Sequence, residues 1–146
     1  MWRFLVLLVG TLGVVQAGIS DKCLACICQV ETHCKYTPCH PDVGSLSCGP
    51  YQIKEPYWED CYKPGKGWKP CALDFQCAAK CVRSYTGRYG QYCTGGRIPT
   101  CEDYARIHNG GPLGCRKKAT LGYWERVKKC LEKKPDYRLL WSSLYN

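Results

Sequence analysis

The sequence has few acidic residues and only one long hydrophobic run. Asp and Glu together number 12, against 21 Lys and Arg, so the formal net charge is +9 at pH 7. No internal repeat and no low-complexity segment divides the 146 residues. Charged residues at 23% and hydrophobic residues at 45% are balanced as in a folded chain. These features exclude membrane channels, coiled coils, repeat solenoids and disordered chains, and they predict one domain.

The hydrophobic run lies at the N-terminus and has the features of a secretory signal peptide. Arg3 precedes an apolar stretch over residues 4–15, and the small residue Ala17 stands where a signal peptidase would cut. We therefore expect residues 1–17 to be removed and the protein to be secreted. The alternative is a membrane anchor, but the run is too short and no basic stop signal follows it, so no stable membrane insertion is expected.

Cysteine is the most informative residue type in the chain. The cysteines number 14, an even count, and all lie between residues 23 and 130. In the oxidising compartment that a secreted chain enters, they predict up to seven disulfides, whose pairing the sequence leaves open. A zinc site is the alternative, because cysteine and histidine cluster over residues 23–40. The compartment favours disulfides, so we expect no metal and no cofactor. The cysteines are Cys23, Cys26, Cys28, Cys34, Cys39, Cys48, Cys61, Cys71, Cys77, Cys81, Cys93, Cys101, Cys115 and Cys130.

Helix and turn signals predict an α+β fold that is mostly α, with several short helices around a small β-hairpin. The domain is expected over residues 18–130, with a C-terminal tail over residues 131–146. Ser20 can cap a first helix that ends near residues 31–33. The many Pro and Gly residues over 34–53 predict loops and a hairpin. Further helices are expected over residues 56–62, 70–85, 100–107 and 121–133, with a loop over 63–70.

Two acidic residues in different surroundings suggest glycoside hydrolysis. Glu31 lies at the end of the apolar first helix, where partial desolvation favours the protonated form of a carboxyl group. Asp42 lies in a segment rich in Gly and Ser, whose hydroxyl and N–H groups can keep it charged. This chemistry needs one acid that protonates the leaving oxygen and one anion that faces the oxocarbenium ion. The pair alone is a weak signal, because Glu31 could instead end a helix or pair with a lysine.

Longer motifs give a more specific signal. The runs CLACICQVE, CHPDVGSLSCGPYQIKEPYWEDC, CALDFQCAAKCV, CEDYARIHNGGPLGC and LGYW together resemble the invertebrate-type lysozyme, destabilase-like, family over essentially all of residues 23–130. The resemblance implies a lysozyme-like fold and a muramidase that cuts the β-1,4 bonds between N-acetylmuramic acid and N-acetylglucosamine. By motif position it implies that Glu31 is the general acid and Asp42 the second carboxylate of a retaining mechanism.

Nine further residues are candidates for binding the substrate. Those in the hairpin block can position Asp42 or bind sugar hydroxyls, the tyrosines can stack on sugar rings, and the HNGG segment matches a family block. They are Ser45, Ser47, Tyr51, Gln52, Lys54, Tyr57, Tyr89, His108 and Asn109.

Two alternatives to a muramidase stay open. Some relatives are described as isopeptidases that cut ε-(γ-Glu)-Lys links with a Ser/Lys dyad, for which Ser45 or Ser47 with Lys54 would be the matching positions. The other alternative is a wall-binding protein without turnover.

The positive charge indicates the anionic bacterial wall, and thus peptidoglycan, as the partner. No groove-reading motif is present, so nucleic acid is not expected. A monomer or weak homodimer is expected, serving antibacterial defence or digestion.

Overall fold

A computed structural model describes residues 18–133 of the chain. The predicted signal peptide and residues 134–146 of the predicted tail lie outside this part. The fold is mostly helical with one small antiparallel hairpin, which confirms the predicted class. No helix within residues 18–133 is long and apolar enough to cross a bilayer. The elements are α1 (Asp21–Thr32), β1 (His40–Asp42), β2 (Ser45–Ser47), α2 (Glu55–Asp60), α3 (Trp68–Leu73), α4 (Phe75–Thr94), α5 (Cys101–Gly110) and α6 (Leu121–Glu132), with short 3-10 turns at Gly114–Arg116 and Lys118–Thr120.

Helix α1 begins and ends as its sequence predicts. The Ser20 side chain accepts a hydrogen bond of 3.2 Å from the backbone N–H of Cys23, which satisfies one donor of the first turn. His33 adopts a left-handed conformation with φ of 55° and ends the helix. Leu24 and Ile27 are fully buried, so one face of α1 forms part of the core. The last turn therefore brings Glu31 to the edge of that core.

The predicted single helix over residues 70–85 is wrong. The structure has two helices there, because Asp74 is extended, with φ −85° and ψ 122°, and ends α3 as it caps α4. Its side chain accepts a hydrogen bond of 2.7 Å from the backbone N–H of Cys77, so the carboxylate starts a new helix instead of continuing the old one. Helix α3 also begins inside the segment predicted as a loop, and α4 continues to Thr94, where Gly95 with φ of 72° ends it.

The capping motif predicted at the start of α5 is confirmed. The Thr100 hydroxyl accepts from the backbone N–H of Asp103, while the Asp103 carboxylate accepts from the backbone N–H of Thr100 at 2.8 Å. These reciprocal hydrogen bonds satisfy two N–H groups that the helix itself leaves unpaired. Helix α5 then extends through His108 to Gly110, and Gly111, the last residue of the HNGG segment, ends it with a φ of 84°.

All fourteen cysteines form disulfides, which confirms the predicted framework. Two of the bonds join α1 to distant helices, at sequence separations of 78 and 104 residues. In a chain-entropy model, loops of this length each stabilise the fold by roughly 4–5 kcal/mol. The pairs are Cys23–Cys101, Cys26–Cys130, Cys28–Cys34, Cys39–Cys48, Cys61–Cys81, Cys71–Cys77 and Cys93–Cys115.

The hairpin places Asp42 at the end of a strand. Asp42 pairs with Ser45 across the two-residue turn of Val43 and Gly44, whose φ angles of 43° and 75° are those of a tight hairpin turn. The Cys39–Cys48 bond links the two strands at their other end. The side chain of Asp42 is therefore fixed in register with its neighbours on β2.

The hairpin meets helix α3 at a point where no side chain fits. A Cβ atom placed on Gly49 would lie 1.7 Å from the backbone oxygen of Ala72, and Gly49 has a φ of 74°. Only glycine meets both the conformational and the steric requirement at this contact.

Replacing Gly49 with alanine is expected to destabilise the protein strongly. Gly95→Ala is the matched control, since Gly95 has a φ of 72° and a Cβ added there would meet no atom within 4 Å. The control carries only the conformational cost, about 1 kcal/mol. Gly49→Ala adds a steric cost of about 1–3 kcal/mol or more. Urea unfolding with the disulfides intact measures both free energies, and equal losses would contradict the steric account.

Candidate active site

A cleft of about 420 Å³ contains both predicted catalytic residues. Its walls come from α1, the hairpin and its following segment, α2, α4, and the end of α5 with the turn after it. The lining residues are Glu31, Asp42, Gln52, Lys54, Pro56, Tyr57, Asp60, Tyr85, His108, Asn109, Gly111 and Pro112. Elements far apart in sequence thus converge on one site, as a substrate cleft requires.

Glu31 is held by two residues from the C-terminal half of the chain. Its Oε1 atom accepts a hydrogen bond of 2.8 Å from the Tyr123 hydroxyl of α6. The Nε2 atom of His108 on α5 lies 3.4 Å from the same oxygen. The Glu31 side chain is 19% exposed and that of His108 only 4%. The carboxyl group therefore lies in a largely dry environment that nevertheless opens to the cleft.

Asp42 lies in a different environment, open to solvent and surrounded by donors. The hydroxyl of the buried Ser47 donates to its Oδ2 atom at 2.8 Å, and the Lys54 amino group lies 3.4 Å from that atom. The Lys54 amino group also donates to the backbone oxygen of Asp42 at 2.9 Å. The Ser47 hydrogen bond, with a further contribution from Lys54, holds the pKa of Asp42 below its usual value. Asp42 is therefore charged at every pH above that lowered value.

A tyrosine on α2 completes the polar contacts around His108. The Tyr57 hydroxyl and the His108 Nδ1 atom are 2.9 Å apart. The Tyr57 ring stacks on Tyr85 with 3.6 Å between ring centroids. Burial, together with the nearby Tyr85 and Glu31, raises the pKa of Tyr57 well above its usual range. The hydroxyl therefore keeps its proton throughout the pH range in which carboxyl groups titrate.

Five of the nine predicted substrate-binding residues line the cleft. Gln52 and Lys54 lie on the hairpin side, and the His40 Nε2 atom is hydrogen-bonded to the Gln52 Oε1 atom at 2.6 Å. Tyr57, His108 and Asn109 lie on the helical side. The sequence therefore identified polar groups on both walls.

Two of the residues predicted to bind substrate have fully buried side chains. Tyr51 is 0% exposed and its ring lies 5.5 Å from that of Phe75, so it belongs to the core behind the cleft. Ser47 is also 0% exposed and contacts Asp42 instead of solvent. Neither residue can touch a sugar in this structure, although Ser47 positions Asp42 as the sequence suggested.

Ser45 and Tyr89 lie outside the cleft lining. The exposed Ser45 donates to the backbone oxygen of Asp42 at 3.3 Å. The Tyr89 hydroxyl donates to Asp60 Oδ2 at 2.9 Å, so its role is to hold a residue of the cleft wall.

Sequence reasoning missed several residues of the site. Tyr123 offers its hydroxyl to Glu31, a role that no sequence motif indicates. Asp60, which belongs to one of the quoted motifs, and Tyr85, which belongs to none, also line the cleft, and neither was named as a candidate. Only the packing of α6 against α1 places Tyr123 beside Glu31, 92 residues away in sequence, and no local pattern carries that information.

The geometry does not favour a Ser/Lys dyad. The Ser47 hydroxyl donates its proton to Asp42, and the Lys54 amino group contacts the same carboxylate. A lysine can act as a base only when it has lost its proton, and an adjacent carboxylate stabilises the charged form. Among residues 18–133, no group of three or more His, Cys, Asp or Glu side chains is arranged to hold a metal ion.

Two carboxyl groups in one cleft, one largely dry and one charged and hydrogen-bonded, define the class of lysozyme-like glycoside hydrolases. The disulfide-linked, mostly helical fold with a small hairpin agrees with this class.

Comparison with known proteins identifies the family. The Destabilase family model matches residues 20–130. A lysozyme from Magallana gigas is 57% identical over 112 residues, which cover 77% of this chain and 80% of that protein. Invertebrate-type lysozyme 2 of Caenorhabditis elegans is 51% identical over 127 residues, covering 82% and 91%. The crystal structure of Tapes japonica lysozyme superposes with a TM-score of 0.71 at 52% identity, covering 75% of this chain and 89% of that one. The chain belongs to the destabilase-like family of invertebrate-type lysozymes.

The family confirms the resemblance seen in the sequence, and with it the enzyme class. The protein is a glycoside hydrolase with muramidase activity on peptidoglycan. A further structure of the same fold, Meretrix lusoria lysozyme in complex with PliI of Aeromonas hydrophila, is 50% identical to this chain with a TM-score of 0.71; the match covers 76% of this chain and 89% of that one.

Ser47→Ala is expected to move the acid limb of the pH–activity profile to higher pH. The Ser47 hydroxyl stabilises the charged form of Asp42, so its loss raises the pKa of that group towards the ordinary value. If the reaction uses Asp42 in its charged form, activity is then lost at a higher pH as the solution is acidified, while kcat at the optimum drops by about tenfold or less. Rates of sugar-oligomer cleavage from acidic to neutral pH measure the limb.

Ser45→Ala is the matched control for that experiment. Its hydroxyl contacts the backbone oxygen of Asp42 and not the carboxylate, so the acid limb should stay where it is in the unmodified protein. Equal shifts in both variants would contradict the assignment of the effect to the Ser47 hydrogen bond.

Proposed function

We propose that Glu31 is the general acid and Asp42 the charged carboxylate with which this muramidase cuts the β-1,4 bond between N-acetylmuramic acid and N-acetylglucosamine. The observation that supports the assignment is the contrast between the two groups within one cleft. Glu31 is 19% exposed and Asp42 42% exposed. The dry site suits a group that must hold a proton, and the donors around Asp42 suit one that must stay charged.

The proposed reaction proceeds with retention of configuration in two steps. Glu31 first gives its proton to the glycosidic oxygen while the bond from that oxygen to C1 breaks and the Asp42 carboxylate bonds to C1 from the opposite face. Water then attacks C1, Glu31 takes its proton, and the bond to Asp42 breaks. Lys54 and Ser47 remain hydrogen-bonded or ion-paired to Asp42 and keep it in place for the attack. Both carboxyl groups are thus returned to their starting state.

Glu31→Gln and Asp42→Asn are each expected to lower the rate of wall lysis by at least about 10²–10⁴-fold, because each removes one of the two required carboxyl groups. Clearing of a bacterial suspension measures lysis, and thermal unfolding shows whether the fold is retained. Glu59→Gln is the control, since Glu59 is 53% exposed and pairs with Lys63 across one helical turn. A folded Glu31→Gln protein that still lyses cells at the normal rate would overturn the assignment.

The stereochemical prediction is tested separately from the residue roles. Proton NMR of an N-acetylglucosamine oligomer during cleavage should show the β-anomer as the first product, because two displacements at C1 restore the original configuration. An initial excess of the α-anomer would mean that water attacks C1 directly.

The proposal extends to the location and partners of the protein. We propose that residues 1–17 are removed as a signal peptide and that the chain is secreted, which the seven disulfides support because they need an oxidising compartment. Removal of Arg3, the only charged residue in that segment, leaves a net charge of 9 − 1 = +8. This charge favours approach to an anionic bacterial wall. We also propose a monomer or weak homodimer that an inhibitor can bind, as one does in the Meretrix lusoria lysozyme structure.

A further inference from the structure

Polar contacts of Tyr57, His108 and Tyr123 lead to one oxygen of Glu31. Tyr57 contacts His108 Nδ1 at 2.9 Å, and His108 Nε2 lies 3.4 Å from Glu31 Oε1. Tyr123 reaches the same Oε1 atom from α6 at 2.8 Å. Helices α2, α5 and α6 each contribute one of these residues, and the residues from α5 and α6 contact the Oε1 atom directly.

The Tyr57 hydroxyl fixes which nitrogen of His108 carries the proton. This hydroxyl is hydrogen-bonded to the Nδ1 atom of His108. The high pKa of Tyr57 means that its hydroxyl proton is always present and can be donated to Nδ1. When Tyr57 donates to Nδ1, the ring proton of the imidazole lies on Nε2. His108 thus presents an N–H group to Glu31.

Tyr123 is also a fixed donor. Burial, followed by the nearby Glu31 carboxylate, raises the pKa of Tyr123 well above its usual range. Its hydroxyl therefore stays protonated and donates to Glu31 Oε1. Other charged groups face this cluster. The guanidinium group of Arg126 lies 5.4 Å from the Tyr123 ring centroid, and Asp42, Lys54 and Asp60 line the same cleft as Glu31.

We propose that His108 and Tyr123 are positioning residues that make Oε1 a pure acceptor, so that the catalytic proton of Glu31 is carried by Oε2. A carboxylate oxygen has about two lone-pair sites, and these two donors use both sites of Oε1. The His108 contact is long here and can shorten when substrate fills the cleft, as catalytic hydrogen bonds often do. The inference rests on the proposed role of Glu31 as the general acid.

In this account, proton transfer uses one defined oxygen. The Oε2–H bond breaks as the proton passes to the glycosidic oxygen, and the resulting negative charge is shared with Oε1, where both N–H and O–H donors stabilise it. The Tyr123 hydroxyl is in place before the reaction, and the His108 N–H group has only a short distance to move towards Oε1. Tyr57 acts one step further away, by keeping His108 in the tautomer that donates.

The decisive experiment compares Tyr123→Phe, His108→Leu and His108→Gln in the full-length disulfide-bonded protein. Phe and Leu remove a donor, so kcat for a sugar oligomer should fall about 10- to 100-fold with KM changed little. Glutamine retains an N–H group near the position of Nε2 and should keep kcat within about threefold of the unmodified enzyme. Tyr104→Phe is the matched control, a buried tyrosine on α5 outside the cleft lining, and should leave kcat unchanged.

Rescue by glutamine separates positioning from a merely structural role. His108→Leu and His108→Gln both remove the imidazole, but only glutamine returns an N–H group. A loss of packing alone would lower kcat in both variants. Folded His108→Leu and His108→Gln proteins with equal kcat, or a folded Tyr123→Phe protein with unchanged kcat, would overturn the proposal.

Tyr57 is tested through its dependence on His108. Tyr57→Phe should lower kcat when His108 is present, because the tautomer is no longer fixed, and should have no further effect in a His108→Gln background. Equal effects in both backgrounds would show that Tyr57 does not act through His108. Activity of Glu31→Gln distinguishes the two proposals: if Glu31→Gln is inactive while the Tyr123 and His108 variants behave normally, only the positioning inference fails.

Discussion

The active site depends on the attachment of helix α1 to the C-terminal half of the chain. The disulfides Cys23–Cys101 and Cys26–Cys130 join α1 to α5 and to the end of α6. These are the two helices that carry His108 and Tyr123, the partners of Glu31. A small domain buries too little apolar surface to hold such contacts firmly, and covalent links that close long loops supply the missing restraint. The same bonds that stabilise the fold therefore fix the environment of Glu31.

Much of the fold could be predicted from short-range signals. Local signals predicted a helix start at Ser20, a capping motif at Thr100 and a hairpin in the Pro- and Gly-rich segment after α1. The structure has all three at the expected places. The break at Asp74 was missed because an aspartate within an otherwise helical pattern can either point to solvent or cap a new helix, and only the tertiary structure decides. The disulfide pairing is likewise a long-range property that spacing does not reveal.

The residues of the candidate site likewise divide into those that sequence motifs indicated and those that only the tertiary structure revealed. Glu31 and Asp42 were found because they belong to a long motif, and the structure places both in one cleft. Tyr51 was a candidate for substrate and is part of the core, because an aromatic residue in a motif serves the core as readily as a ligand and burial is invisible in the sequence. Tyr123 was not among the predicted site residues, because its hydroxyl contacts Glu31 on another helix and that contact is not visible in the sequence.

The two carboxyl groups differ in how far along the chain their partners lie. Ser47 and Lys54 are within 5 and 12 residues of Asp42, whereas Tyr123 is 92 residues from Glu31. The hairpin, closed by its own disulfide, can thus assemble the anion and its donors from local contacts. Under the proposed roles, a chain with the hairpin formed but α5 and α6 undocked would hold the charged carboxylate without the partners of the acid. Such an incompletely folded chain would be inert towards the polymer that the folded protein cuts.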